Sequence, residues 1–260
     1  MSRYFIHMAY DGGNYFGWQI QPKELTVQKV MEQALSTLLQ EKISVSGAGR
    51  TDTGVHASGF VAHFDMSAVQ SHDGTNPDVS NDPSSEQFVF KLNRFLPPDI
   101  TVQKIHEVPE DMHARYSATH RTYHYHISSV KPLYNRNYSH HVYGELDMES
   151  INKCCKVILK TTDFTSFAKL HTDVKTNNCK VSHAHWRKVE HGYQFEITAD
   201  RFLRNMVRSI TGTLLDVGRG KLDPNGFNRI VEAKDRGKAG SSAPAKGLFL
   251  VDIGYKFPEE

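Results

Sequence analysis

The chain has 260 residues, of which 38% are hydrophobic and 23% are charged, and its formal net charge is +2. No window approaches the apolar length of a membrane span and the N-terminus lacks a signal-peptide core, so we expect no membrane partner. The chain has three cysteines, two of them adjacent, too few to form a disulfide framework, which favours a cytoplasmic location.

The first half predicts two helices among four strands. Residues 3–10 alternate as a strand, and Thr26 is a plausible N-cap for a helix whose apolar residues recur at helical spacing from Val27 to Leu39. Strands are expected around 43–48 and 58–64. The polar stretch Ser67–Glu86 predicts an exposed loop, followed by a short helix near 87–95 and a strand near 100–107.

The second half predicts the same order of elements. Residues 121–128 alternate as a strand, and 148–160 is an amphipathic helix. A hairpin follows, with strands at 180–190 and 193–200 that turn at His191-Gly192. A helix over 202–217 and a strand over 248–255 complete the series.

Two successive β-α-β-β-α-β series predict an α+β fold of two ferredoxin-like domains. We expect an N-terminal domain over residues 1–107 and a C-terminal domain over 108–260. Such sheets can present an open face to RNA, and clefts between paired domains are usual sites for chemistry. The weakly basic balance of the chain permits an RNA partner without requiring one.

The octapeptide Gly49–His56 reads GRTDTGVH and is the most informative stretch of the chain. Its one carboxylate, Asp52, lies close to Arg50, between Gly49 and Gly54. Glycines on both sides indicate a sharp, crowded turn where backbone approaches a ligand. A carboxylate on a loop beside a cation can stay ionised as a base or nucleophile. The structural alternative is an aspartate that only caps its own turn.

Three further groups are candidates for binding or chemistry. Tyr123 and Tyr125 share one face of a predicted strand, and either could stack on a base or be a core aromatic. Arginines at 201, 204 and 208 fall in one arc of the predicted helix, where they could bind phosphates or form a solvated basic face.

Cysteine 179 with histidines at 183, 185 and 171 lacks a structural-zinc spacing, so we predict no metal. No dinucleotide or P-loop motif occurs, and we expect no cofactor.

The chain resembles the tRNA pseudouridine synthase A family over nearly its full length. The matching segments occur in order, and together they are highly specific. They are Tyr10-Asp11-Gly12, Gly17-Trp18-Gln19, Thr26-Val27-Gln28, Gly49–His56, Asn93 with Leu96-Pro97 and Asp99-Ile100, His113–Thr119 with Arg121–Tyr123, Asp163–Phe167, Met206–Arg208 and Gly247–Val251.

The resemblance implies a role for four residues. Asp52 matches the catalytic aspartate, Tyr123 the active-site tyrosine that contacts the target base, and Arg208 the arginine that pairs with the aspartate. Arg50 matches a position that helps to displace the target base. The resemblance also implies sheets joined edge to edge and a homodimer. The implied reaction is isomerisation of uridine to pseudouridine at positions 38, 39 and 40 in the anticodon stem-loop of tRNAs, without a cofactor.

Two other classes of function remain open at this stage. A non-catalytic RNA-binding module could use the same sheets, and Asp52 would then be dispensable. An RNA glycosidase could use Asp52 at C1′ but would release free uracil. The polar loop and residues 171–179 differ from the family pattern.

Overall fold

A computed structural model describes residues 1–67, 82–169 and 175–257. Residues 68–81 of the predicted Ser67–Glu86 loop, and His171 of the cysteine and histidine group, lie outside these residues. The chain divides into two compact units, residues 1–119 with 252–260, and residues 120–251. The predicted domains, residues 1–107 and 108–260, stay a prediction, because compactness alone does not test whether each of them folds independently.

The first unit combines two helices with antiparallel strands, as predicted. Its strands follow the order β4-β1-β3, and β2 also pairs with β3. The side chain of Thr26 accepts a hydrogen bond from the Lys29 amide, which confirms the predicted cap of α1. The elements are β1 Ser2–Tyr10, α1 Val27–Leu39, β2 Val45–Gly47, β3 His56–Met66, α2 Glu86–Phe95 and β4 Ile100–Val108.

Helix α2 begins one residue inside the segment predicted as a loop. The hydroxyl of Ser85 accepts a hydrogen bond from the Phe88 amide at 3.2 Å, so Ser85 is the N-cap and Glu86 the first helical residue. A carboxylate in the first turn also suits the positive end of the helix dipole. The prediction was therefore wrong for Glu86.

In the second unit, strands β5, β8 and β7 are antiparallel neighbours in that order, and short β6 adds to β5 in parallel. Trp186 and Phe195 stack at 5.4 Å in its core. The elements are β5 Ala118–Ser128, β6 His140–His141, α3 Met148–Ile158, β7 Val181–Val189, β8 Gly192–Ala199, α4 Met206–Gly218, α5 Pro224–Ala233 and β9 Leu248–Tyr255. Strand β9 spans the division, since its residues from Asp252 onward belong to the first unit.

Together the elements form a mixed α+β protein with mostly antiparallel strands, which confirms the predicted fold class. Helix α5 was not predicted, although Asp223 before Pro224 is a strong signal for a helix start. The Asp223 carboxylate accepts a hydrogen bond from the Gly226 amide, and proline needs no amide partner at the first helical position. Among the described residues, no helix combines the length and apolar character needed to cross a membrane.

Four histidines of the first unit pack into one region of imidazole and phenyl rings. His7 stacks on His106 with centroids 5.1 Å apart, His63 meets His113 at 4.4 Å, and Phe5 lies near both pairs. Burial, with positive charge at neighbouring groups, lowers the pKa of His63 and of His106 to about 4. Burial also lowers the pKa of His7 and of His113. The folded state therefore holds these rings neutral.

We expect the protein to lose stability as pH falls from 6.5 towards 4. The unfolded chain binds protons near pH 6.5 that the folded chain excludes, so each fully shifted ring lowers the unfolding free energy by at most about 1.4 kcal/mol per pH unit. Urea unfolding midpoints between pH 7.5 and 4.5 measure the slope. The change His106→Phe keeps the ring packing and should flatten the slope; equal slopes in both proteins would contradict this account.

Candidate active site

Asp52 lies on the loop that joins the antiparallel strands β2 and β3. The loop is closed by a hydrogen bond from the Ala48 amide to the Val61 carbonyl at 2.8 Å. A second bond from the Val55 amide to the Asp52 carbonyl, at 3.1 Å, makes the turn that contains the aspartate. Asp52 itself is half-buried, whereas Arg50 is exposed. The sequence prediction of a loop between two strands is confirmed.

The backbone on both sides of Asp52 is tied to the segment after β1. The Trp18 amide donates to the Thr51 carbonyl at 3.4 Å, and the Gly54 amide donates to the Tyr15 carbonyl at 3.3 Å. The hydroxyl of Tyr10 lies 2.9 Å from that of Thr51, in a buried hydrogen bond. Because these bonds bracket Asp52, the position of its Cα is fixed from both directions along the chain.

Two glycines of this segment allow the close approach. A Cβ on Gly17 would lie 2.3 Å from the Thr51 carbonyl oxygen, and one on Gly12 would lie 1.9 Å from the Val55 carbonyl oxygen. Gly17 also has φ of 83°, a left-handed conformation that side chains disfavour. The predicted sharp turn is present at Gly54, with φ of 76°. At Gly49 a Cβ would meet no protein atom within 4 Å, so the protein itself does not crowd that side of the turn, and the approach to a ligand there stays a prediction.

An aromatic cluster supports the same segment from the core. The rings of Trp18 and Phe60 are 4.2 Å apart, and the Tyr10 ring meets Phe60 edge-on at 5.5 Å. All three residues are buried. The hydroxyl that holds Thr51 therefore belongs to a ring that is itself fixed by packing.

Asp99 provides a second anchor for the residues that hold the loop. Its carboxylate accepts hydrogen bonds from the Tyr15 hydroxyl at 2.6 Å and from the Asn14 side-chain amide at 3.1 Å. Burial, together with the Asp99 hydrogen bond, raises the pKa of the Tyr15 phenol. The Asp11 amide donates to the Asp99 carbonyl as well. Tyr15 thus connects Asp99 to Gly54 in the aspartate loop.

Helix α1 contributes a third anchor through Gln28. The Gln28 side chain accepts from the Ile20 amide and donates to the Val45 carbonyl, each at 2.9 Å. One amide side chain therefore joins the helix to the segment after Trp18 and to β2. This contact gives Gln28 of the Thr26-Val27-Gln28 motif a structural role, whereas the sequence alone predicted one only for Thr26, as the helix cap.

In the second unit, Tyr123 and Arg208 lie on β5 and in the first turn of α4. Tyr123 is half-buried, and its ring meets Phe202 edge-on at 5.2 Å. The Arg208 Nε donates to the Ala243 carbonyl at 2.8 Å, and the Ala243 amide donates to the Arg208 carbonyl at 2.9 Å. Both the backbone and the guanidinium of Arg208 are therefore oriented by Ala243.

Tyr125 is a core residue, although it shares the strand pattern of Tyr123. It is fully buried, and its hydroxyl donates to the Pro244 carbonyl at 2.8 Å. Burial raises the pKa of the Tyr125 phenol, an effect that the nearby positive charge of Arg208 opposes. The sequence left open whether Tyr125 stacks on a base or is a core aromatic, and the structure shows that it is a core aromatic.

The predicted arginine stripe does not form on a helix. Helix α4 begins at Met206, so Arg201 and Arg204 precede it and only Arg208 is helical. Asn205 interrupts the expected helix with φ of 64°, a conformation that asparagine tolerates. Its side-chain amide donates to the Ser242 hydroxyl at 2.6 Å, a tertiary contact that the helical periodicity could not reveal.

The described members of the cysteine and histidine group, Cys179, His183 and His185, do not form a metal site. Cys179 is buried, and burial raises the pKa of its thiol to about 11. His183 and His185 are exposed on β7, and His183 Nε2 lies 3.4 Å from a Glu196 carboxylate oxygen. Within residues 1–67, 82–169 and 175–257, no three histidine, cysteine or acidic residues are grouped so as to hold a metal ion.

A protein-family model described as tRNA pseudouridine synthase matches residues 6–117 and 160–256. These ranges contain Arg50, Asp52 and Arg208, whereas Tyr123 lies between them. The tRNA pseudouridine synthase A of Bacteroides thetaiotaomicron is 52% identical over 263 residues, covering 100% of this chain and 92% of the relative. That of Bacteroides fragilis is 50% identical over 261 residues, covering 100% and 98%. That of Caldicellulosiruptor bescii is 39% identical over 257 residues, covering 98% and 100%.

Replacing Gly17 by alanine should loosen the aspartate loop. The new Cβ must displace the Thr51 carbonyl, and the positive φ adds a strain of about 1–3 kcal/mol. We expect lower stability together with faster hydrogen exchange at the Gly54 and Val55 amides. The matched control is Gly144→Ala, which has φ of 81° but open space around the new Cβ. It should lower stability without changing exchange at those two amides, and equal exchange in both variants would refute the contact.

Proposed function

The chain belongs to the tRNA pseudouridine synthase family and isomerises uridine to pseudouridine in tRNA, and we propose that it acts at positions 38, 39 and 40 of the anticodon stem-loop. The observation that carries the proposal is the full-length similarity, in which the GRTDTGVH loop falls inside the matched range. The anticodon positions follow from the resemblance of the motifs to the A-type members of the family.

The reaction breaks the C1′–N1 bond, rotates the freed uracil and joins C1′ to C5. N1 gains a proton, and C5 loses its hydrogen as a proton, so the product is an isomer of the substrate and no redox partner is required. The chemistry needs a carboxylate beside the ribose and a closed pocket that retains the detached base.

We assign the carboxylate role to Asp52. It would either attack C1′ as a nucleophile or remove the 2′ proton to give a glycal, and both routes use one ionised carboxylate. The hydrogen bonds from Trp18 and Gly54 favour this assignment because they fix the loop before substrate arrives. A reacting group that is already in position avoids an entropic cost during the reaction.

Arg208, Tyr123 and Arg50 receive supporting roles in this proposal. Arg208 would pair with the Asp52 carboxylate, and its Nε contact to Ala243 suits that role because it orients the guanidinium. Tyr123 would contact the target base, and its half-exposed ring is suited to stacking. Arg50 is exposed and would help to displace the target base, since a paired uridine must leave its stem to react.

We further propose that each unit is a ferredoxin-like domain, that the two sheets join edge to edge, and that the protein is a homodimer in the cytoplasm. The order β4-β1-β3-β2 of the first unit, with antiparallel neighbours, supports the ferredoxin-like part. The homodimer rests on the family resemblance, and sedimentation of the purified protein tests it.

Asp52→Asn should abolish turnover and leave tRNA affinity nearly unchanged, because asparagine preserves shape but is neither nucleophile nor base. Release of tritium from tRNA labelled at C5 of uridine measures the isomerisation directly. The control Asp111→Asn removes an exposed carboxylate of the same unit and should retain full activity. Turnover by Asp52→Asn within a few-fold of wild type would refute the role, and free labelled uracil would indicate a glycosidase.

Arg208→Met should lower the rate by about 10- to 150-fold, since a hydrogen bond to a charged group such as the Asp52 carboxylate contributes about 1.5–3 kcal/mol. Arg208→Lys keeps the charge but loses the Nε donor to Ala243, and we expect an intermediate rate. Single-turnover tritium release at saturating tRNA separates this loss from weaker binding. Unchanged kinetics in Arg208→Met would exclude the ion pair.

A further inference from the structure

An exposed tyrosine and arginine lie on a short turn of the first unit, between β4 and β5. The ring of Tyr116 is 76% exposed, and the guanidinium carbon of Arg115 lies 5.6 Å from its centroid. The His113 ring approaches the same ring at 4.4 Å, with 42° between the planes. An aromatic ring with a cation near its face and most of its surface open to solvent can stack on an unpaired nucleobase.

The turn that carries this pair is unusually well fixed for a surface segment. The amides of Arg115 and Tyr116 both donate to His113 Nδ1, at 3.0 and 3.4 Å. The His113 amide donates to the Ser117 hydroxyl at 2.9 Å. The turn is therefore held by its own side chains, and the exposed ring projects from backbone that is already ordered.

The flanking residues are anchored to the core as well. The Ala114 amide donates to His63 Nδ1 at 3.2 Å, and the Tyr255 hydroxyl donates to the Ala114 carbonyl at 2.6 Å. Arg3 donates to the Glu110 and Met112 carbonyls at 2.7 and 3.0 Å. The bonds that hold the turn use its backbone and the His113 and Ser117 side chains, and the Tyr116 ring makes none of them.

We propose that Tyr116 and Arg115 bind an unpaired nucleotide of the tRNA outside the reacting uridine. Tyr116 stacks on the base, and Arg115 contacts the adjacent phosphate. The inference rests on the proposed function, because it assumes that tRNA is the ligand. An RNA ligand fits the pair better than a protein surface because both an aromatic face and a cation are presented together.

Tyr116→Ala should raise the Kd for unmodified tRNA by about 5- to 150-fold, the range for losing one base–aromatic stack. Tyr116→Trp should bind as tightly as wild type, since indole restores the stack. Arg115→Gln should reduce the slope of log K against log salt by about one. Tritium release at saturating tRNA should stay within about three-fold of wild type in all three variants.

The matched control is Phe90→Ala. Phe90 is also an exposed ring of the first unit, 63% exposed with Arg94 at 5.9 Å, but it lies on the surface of helix α2. Its removal should leave the Kd unchanged. An equal loss in Phe90→Ala, an unchanged Kd in Tyr116→Ala, or a change of oligomeric state in Tyr116→Ala would each overturn the proposal. Absence of tritium release by the wild type would instead reject the proposed function.

Discussion

The contact between residues 10–18 and the loop at 51–55 is the constraint that fixes the aspartate loop in the first unit. It is made by backbone atoms at glycine positions, where a carbonyl oxygen occupies space that any side chain would need. Backbone contacts of this kind lose no side-chain entropy on folding. They fix the Cα of Asp52 while leaving its carboxylate half-exposed. A carboxylate that we propose to act on a ribose can therefore be positioned without being buried.

Motifs that are far apart in the sequence serve this one contact. Tyr10, Trp18 and Phe60 form the platform, Asp99 holds Tyr15, and Gln28 holds the segment after Trp18. The ring contacts are buried, the Tyr15 hydrogen bond to Asp99 is half-buried and the Ile20 hydrogen bond to Gln28 is exposed. Loss of one of them leaves a ring unsupported or a polar group without its protein partner. The spacing of the motifs along the chain thus reflects a single three-dimensional arrangement.

Local chemistry made much of this fold predictable. The cap at Thr26 and the strands β1 and β5 depend on neighbours in sequence, and both predictions are confirmed. The aspartate loop was predicted from its glycines and flanking strands. The start of α4 was wrong because Asn205 is held by Ser242, far along the chain. The close approach of Gly17 to Thr51 could not be predicted from the sequence either, since only the folded backbone brings the two residues together. Asp223-Pro224 is a local signal for the start of α5, so this helix could have been predicted from the sequence.

Strand β3 connects the loop that carries Asp52 to the turn that carries Tyr116. Its first residue, His56, follows the aspartate loop, and His63 near its other end accepts the hydrogen bond that anchors the turn at Ala114. Only a neutral imidazole can accept that bond, because protonation would place a hydrogen on Nδ1. Burial lowers the pKa of His63 to about 4, so the acceptor is preserved throughout the neutral range. The desolvation that costs stability in acid is thus the same effect that keeps the Tyr116 turn ordered at the pH where tRNA is bound.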